Sequence, residues 1–194
     1  MTVRDAYGNL ASSYKGKVKF SSSDVQAVLP VDYQFTATDA GVHTFQVTLK
    51  TAQLQSITAT DVSNTTIAGS VTGIDVLAGA ATQFSLGVPS TIAANTAFAL
   101  KVSVLDAWGN KVKNYAGTVH FGNTAGMVGM PADYTFSPSL DAGVHTFNIT
   151  LSTAGTQTLS VADTLDPLLQ SSLSVTIGTK VVTGGGSSGG GKRV

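Results

Sequence analysis

Apolar and polar residues alternate with a period of two over much of the chain. In "VHTFNITL", His145, Phe147, Ile149 and Leu151 fall on one face, and Val144, Thr146, Asn148 and Thr150 on the other. A side chain reverses direction at each residue of an extended backbone, so this pattern predicts a strand with one face buried. The same alternation puts His43, Phe45, Val47 and Leu49 on one face of an earlier segment, and Phe98, Leu100, Val102 and Val104 on one face of another. Turn signals such as "DAWGN", "STAG" and "NTAG" separate these elements at the spacing of a β-sandwich. The pattern predicts an all-β protein.

The elements recur. "VRDAYGNLASSYKGKVKF" at 3–20 aligns with "VLDAWGNKVKNYAGTVHF" at 104–121, an offset of 101, and "LPVDYQFT" aligns with "MPADYTFS" at the same offset. One inserted residue before Asp141 moves the offset to 102, and "DAGVHTF" then occurs identically at 39–45 and 141–147. A repeat of about 100 residues has the size of a domain, not of a solenoid unit. The copies differ in completeness: 28 residues before "DAWGN" read as a strand, a connection and a second strand, whereas only "MTVR" precedes "DAYGN". The expected organisation is a truncated domain at 1–77, a complete one at 78–180 and a flexible Gly/Ser-rich tail at 181–194.

An incomplete first domain exposes unpaired backbone and an apolar seam. The favoured explanation is a fragment of a longer array, cut within a repeat so that the upstream strands are lost; neighbouring immunoglobulin-sized repeats are the expected partners. The alternatives are strand donation in a swapped homodimer, or return of the tail segment "TKVVT" at 179–183 to the seam.

"DAGVHTF" resembles the Asp-x-Gly-x-Tyr-x-Cys signature of immunoglobulin folds, with His43 and His145 in the tyrosine place and Phe45 and Phe147 in the cysteine place. That resemblance implies that Asp and Gly shape the E–F corner and that each histidine begins strand F. A nearer likeness is to bacterial immunoglobulin-like repeats of the intimin and invasin type, in which an Asp-x-x-Gly-Asn turn precedes a Val-x-Phe strand. Asp5, Gly8, Asn9, Val18 and Phe20 match that pattern, as do Asp106, Gly109, Asn110, Val119 and Phe121. The resemblance implies two tandem immunoglobulin-like β-sandwiches, the first lacking its N-terminal strands, from a bacterial cell-surface or extracellular protein.

Composition narrows the chemistry. Eleven basic and 11 acidic residues cancel, and only 11% of residues are charged. No basic stripe is available to follow phosphates, so a nucleic-acid partner is not expected. Cysteine is absent, which removes disulfides, thiolate ligands and a cysteine nucleophile. No run of about 18 apolar residues predicts a membrane span, and "MTVRDAYGN" lacks the apolar core of a signal peptide. All 11 acids are aspartate, and the shortage of good helix formers beside abundant Thr, Ser, Val and Gly again favours strands and turns.

Four residues are the fallback catalytic candidates, as acid–base pairs: Asp39 with His43, and Asp141 with His145. The preferred reading is structural, because the pair recurs at equivalent sites of two repeats: Asp caps a turn, Gly41 and Gly143 supply backbone freedom, and His fills a corner. His120, between Val119 and Phe121, should face solvent. The three histidines lack metal-ligand spacing, so neither a metal nor another cofactor is expected. Gly186-Ser187-Ser188-Gly189-Gly190 has the letters of a nucleophile elbow inside a linker composition. Asp and Asn of the "DAYGN" and "DAWGN" turns suit turn formation better than a calcium loop. The sequons at Asn64 and Asn148 are read as accidental. Tyr7 and Trp108, with Tyr14 and Tyr115, are candidates for a small apolar patch that would take a glycan or protein ligand.

The leading expectation is a non-catalytic structural or adhesive module. The alternatives are a hydrolase with a histidine-containing site and a carbohydrate- or protein-binding domain using loop aromatics.

Overall fold

In the computed structural model, which describes residues 1–179, the alternating segments form twelve β-strands and no helix. The Gly/Ser-rich tail, its Gly-x-Ser-x-Gly letters and residues 180–183 lie outside the described residues. The chain divides into two units: one holds Met1–Ala80 with Asp106–Lys111, and the other holds Ala81–Leu105 and the chain from Val112 onward.

The second unit is a two-sheet sandwich. Its strands are β5 (Gln83–Gly87), β6 (Ile92–Ala93), β7 (Ala97–Leu105), β8 (Thr118–Asn123), β9 (Tyr134–Thr135), β10 (Val144–Thr150), β11 (Gly155–Asp163) and β12 (Gln170–Gly178). One sheet has the order β10-β7-β5 and the other β6-β12-β11-β8-β9. All pairings are antiparallel except β6 with β12, which is parallel. Matched to the immunoglobulin layout, β5, β7 and β10 take the places of A, B and E, and β8, β11 and β12 those of C, F and G. The inner faces supply the core: Leu100, Val102 and Val104 of β7, Ile149 of β10, Val119 and Phe121 of β8, and Leu159 and Val161 of β11 are all buried. The Phe121 and Phe147 rings meet between the sheets, with centroids 4.7 Å apart. Each such side chain contributes about 1.5–3 kcal/mol when fully buried.

This topology corrects the placement of the repeated heptapeptide. His145 lies on β10, which pairs with β7, residue His145 opposite Val102. The heptapeptide therefore opens strand E and not strand F, which is β11. The corner still carries the chain between sheets, from β9 to β10. Turn residues specify a reversal and not which strand follows it.

The first unit repeats only part of this plan. Its strands, labelled from the start of the chain, are β1 (Lys17–Ser22), β2 (Tyr33–Gln34), β3 (Leu54–Asp61) and β4 (Ala68–Asp75), in one antiparallel sheet of order β2-β1-β3-β4. β1, β2, β3 and β4 correspond to β8, β9, β11 and β12. Among the described residues nothing in this unit corresponds to β5, and only residues 1–4 correspond to the end of β7. Residues 42–49, expected as a strand, follow the alternation of β10 but form no ladder; isolated bridges from Thr2 to Val42 and from Val28 to Thr48 hold them. The buried apolar residues of this unit are Val3, Val18 and Phe35, with Ala11, Tyr14, Phe20, Tyr33 and Phe45 packed partly buried around them. Ile67 is 39% exposed where its counterpart Leu169 is 3% exposed, and Val71 is 62% exposed.

Asp106–Lys111, the second "DxxGN" turn, packs within the first unit. Asn110 Nδ2 donates to the Lys50 carbonyl at 2.6 Å, and the Ala52 amide donates to Asn110 Oδ1 at 2.8 Å. Lys50 Nζ sits 4.0 Å from the centre of the Trp108 ring, a cation–π geometry.

Equivalent core positions should respond unequally to truncation. Ile149→Ala empties a buried site (1% exposed) and is expected to destabilise the second unit by about 2–5 kcal/mol. Val47→Ala, at the half-buried counterpart, should have a clearly smaller effect on the first. Residue-resolved hydrogen exchange on both variants measures the two separately.

Candidate functional site

The candidate residues Asp39, His43, Asp141 and His145 occupy one local structure built twice. Asp39-Ala40-Gly41-Val42 closes with a Val42 amide to Asp39 carbonyl bond of 2.9 Å, and Asp141 to Val144 closes with the same distance. Both central residues have positive φ: 47° and 80° at Ala40 and Gly41, 45° and 78° at Ala142 and Gly143. Positive φ at both centres defines a type I′ turn. Glycine meets the second requirement freely. An added Cβ at Gly41 would also come within 2.6 Å of the Ala11 carbonyl oxygen. The alanines meet the first only with strain, which the glycine-centred expectation missed.

The carboxylates lock these turns. Asp39 Oδ2 accepts from the Thr36 amide and hydroxyl, both at 2.7 Å, while Oδ1 accepts from the Tyr33 hydroxyl at 3.0 Å and lies 2.7 Å from His43 Nδ1. In the second copy Asp141 Oδ2 accepts from the Ser137 amide at 2.6 Å, Tyr134 donates to both carboxylate oxygens at 3.1 Å, and His145 Nδ1 lies 2.7 Å from Oδ1. The inserted residue is absorbed here: the amide donor sits three residues before Asp39 but four before Asp141. Each imidazole also stacks on its tyrosine, with ring centroids 4.0 Å apart for His43 and Tyr33 and 4.1 Å for His145 and Tyr134.

The electrostatics follow from these bonds. The Thr36 amide, the Thr36 hydroxyl and His43, in that order, hold the Asp39 carboxyl well below the usual carboxylate range. Burial works against ionisation of Asp141, but the Ser137 amide, His145 and the Tyr134 hydroxyl outweigh it, and its pKa is lowered too. Burial, then the neighbouring carboxylate, raises the tyrosine hydroxyls.

A base poised by a carboxylate is two thirds of an acyl-transfer site, which also needs a nucleophile hydrogen-bonded to the far imidazole nitrogen. Among the described residues no hydroxyl bonds to Nε2 of either histidine. The hydroxyls present, on Thr36, Tyr33 and Tyr134, donate to the aspartates instead. The main groove of the first unit, about 830 Å³, does not include Asp39 or His43 in its lining.

The remaining candidates are dispersed. His120 is exposed on β8, and its Nδ1 lies 2.7 Å from Asp133 Oδ1. The two "DxxGN" turns are closed by their own aspartates: Asp5 Oδ1 accepts from the Tyr7 and Asn9 amides, and Asp106 Oδ1 from those of Trp108 and Asn110. The aromatic patch does not assemble. Tyr7 is 90% exposed, whereas Tyr14 and Tyr115 turn inward, each edge-on to a core phenylalanine, Phe35 or Phe136. Their hydroxyls donate to Asp61 and Asp163. Gly16 and Gly117 lie against these pairs so closely that a Cβ at either would overlap them.

Tyr33, Tyr134, Thr36 and Ser137 were missed as members of the corner. The repeat carried the signal for the tyrosines, since "DY" precedes the corner in both copies. Asp24 was also missed. Burial opposes its ionisation, but bonds from the Thr51 hydroxyl and amide and the Lys50 amide hold it far below the usual range. Alanine occupies the corresponding place of the second repeat, so duplication gave no clue.

No protein-family model matches the sequence, and no curated protein matches it. Solved structures that it resembles include a β-glucuronidase of Bacteroides uniformis, at 14% identity over 84% of this chain and 21% of that chain, with a TM-score of 0.43. Another is the D0-D1 domain of intimin, at 18% identity over 85% of this chain and 82% of that chain, with a TM-score of 0.37. A third is the Escherichia coli adhesin FdeC, at 18% identity over 89% of this chain and 56% of that chain, with a TM-score of 0.38. The chain spans about a fifth of the length of the glucuronidase it matches.

Two outcomes test the corner. Stability conferred by a lowered carboxyl pKa is complete above the unfolded value near 4 and is lost as pH falls through it toward the folded value. Urea midpoints of the second unit should therefore fall more steeply below about pH 4 in the wild type than in Asp141→Asn. Ala142→Gly should relieve the left-handed strain and raise stability by up to about 1 kcal/mol, read as an increased urea midpoint at neutral pH.

Proposed function

We propose that the chain is a non-catalytic structural or adhesive module: tandem immunoglobulin-like sandwiches of a bacterial surface or secreted protein that space or present other domains. The observation that carries this reading is the duplicated Asp–His corner, in which every carboxylate bond is spent on the turn it closes. A catalytic pair has no need to recur with the same partners in two repeats, whereas a fold-forming corner must recur wherever the fold does. The surface or extracellular setting rests on the "DxxGN" and "VxF" resemblance to intimin- and invasin-type repeats. Exposed Thr and Ser along the outer faces keep such a module soluble. Neighbouring immunoglobulin-like repeats are its expected partners, and no cofactor is required.

The test is an assay of the full chain against panels of small esters and peptides, with His43→Ala and His145→Ala alongside. The expected result is no turnover above buffer in any of the three. Hydrolysis by the wild type that disappears in either variant would replace this reading with a hydrolase.

A further inference from the structure

Asp24 is a buried carboxylate, 4% exposed, whose bonds reach beyond its own turn. Its Oδ2 accepts from the Lys50 and Thr51 amides at 2.6 and 2.9 Å, and its Oδ1 from the Thr51 hydroxyl at 2.6 Å and the Gln26 amide at 2.9 Å. Burying a carboxylate costs stability unless it is fully bonded. The second repeat builds the same connection without one. Ala125 stands in the place of Asp24 and Ser152-Thr153-Ala154 in that of Lys50-Thr51-Ala52, and among the described residues no carboxylate bonds to the Ser152 or Thr153 amide. The fold therefore does not require Asp24, and its role lies in what the loop it shapes meets. That partner is the tip of the Asp106–Lys111 turn, which belongs to the same unit. The Lys50 carbonyl and the Ala52 amide both face Asn110: Nδ2 donates to the carbonyl at 2.6 Å, and the Ala52 amide donates to Oδ1 at 2.8 Å. A side-chain amide supplies one donor and one acceptor to such a pair, whereas a carboxylate would set an acceptor against the carbonyl. Asn110 is itself held by Asp106, whose Oδ2 accepts from Nδ2 at 2.9 Å. Lys50 Nζ covers the neighbouring Trp108 ring at 4.0 Å from its centroid.

We infer that the Lys50–Ala52 loop is a recognition site for a "DxxGN" turn and that Asp24 is its positioning residue. The ligand is a turn with an aromatic side chain two residues after its aspartate and an asparagine four residues after it, here residues 106–111. The backbone of Lys50 and Ala52 reads the asparagine, and the Lys50 ammonium reads the ring. Asp24 touches neither; it holds the loop through the Lys50 and Thr51 amides in the shape that presents both. Ser152–Ala154, with no lysine and no carboxylate behind it, lacks the site. The assignment rests on the reading of the chain as a module of neighbouring repeats and gives that reading a chemistry.

The test follows the full chain by hydrogen exchange at the Ala52 amide, which bonds to Asn110 and not to Asp24, and by acrylamide quenching of Trp108, the sole tryptophan. Asp24→Ala should speed Ala52 exchange about tenfold, as for the loss of one hydrogen bond, and make Trp108 easier to quench, with the ladder amides of β1 and β3 unchanged. Asn110→Ala should produce the same two changes. The double variant should exchange no faster than either single one, because both act on one contact. Asp24→Asn, which keeps one acceptor oxygen, should fall between the wild type and Asp24→Ala. Additive effects in the double variant, or unaltered quenching of Trp108 in Asp24→Ala, would overturn the assignment. So would loss of protection throughout β1 and β3 in Asp24→Ala, because the fold itself would then need the carboxylate. None of these readouts depends on turnover of esters or peptides, so the outcome is independent of the hydrolase test.

Discussion

The ladder between β7 and β10 is the constraint on which the sandwich depends. It has two effects at once: it pairs the facing backbone groups of the two strands, and it seats Phe98, Leu100, Val102 and Val104 against the opposite sheet. Where the ladder exists, the alternating residues of β10 are buried. Where its counterpart does not, the same alternation at 42–49 yields a segment held by two bridges, with its apolar face half in water. The contrast separates local pattern from tertiary context, because the pattern is common to both copies and only the neighbour differs. A strand is a property of a pair.

Aspartate is the second recurring device, and it gives the absence of glutamate a physical meaning. Asp5, Asp24, Asp61, Asp106, Asp163 and Asp166 each accept from the backbone amide two residues on. Asp39 and Asp141 reach back to amides three and four residues earlier. A one-carbon stem makes such local bonds easily, whereas the longer glutamate stem overshoots them. In a protein made of short strands and tight reversals, eight of the 11 acids are turn locks. The charges serve backbone geometry before they serve any partner.

Much of this was legible in the sequence, because the periodicity and the duplication are both strong. The alternation located β7 and β10, the inward faces of both copies and the outward direction of His120. The unequal lengths before "DAYGN" and "DAWGN" exposed the seam. The strand following the "DAGVHTF" corner was misplaced, since an Asp-Gly reversal is chemically the same wherever a sandwich needs one, and only pairing with β7 identifies it. The inward turn of Tyr14 and Tyr115 was equally hidden. It depends on Asp61 and Asp163, which are distant in the chain, and on Gly16 and Gly117, which clear the space. Asp24 bonds to Lys50 and Thr51 through a contact that no periodicity encodes.

The bare edge at 42–49 has a further consequence. "VHTFQVTL" contains no lysine, aspartate, proline or glycine, the residues with which natural proteins blunt exposed strands. A short uncharged segment rich in β-branched and aromatic residues is also the composition that nucleates cross-β stacking between identical chains. Such a segment is an aggregation hazard wherever its edge is left unpaired.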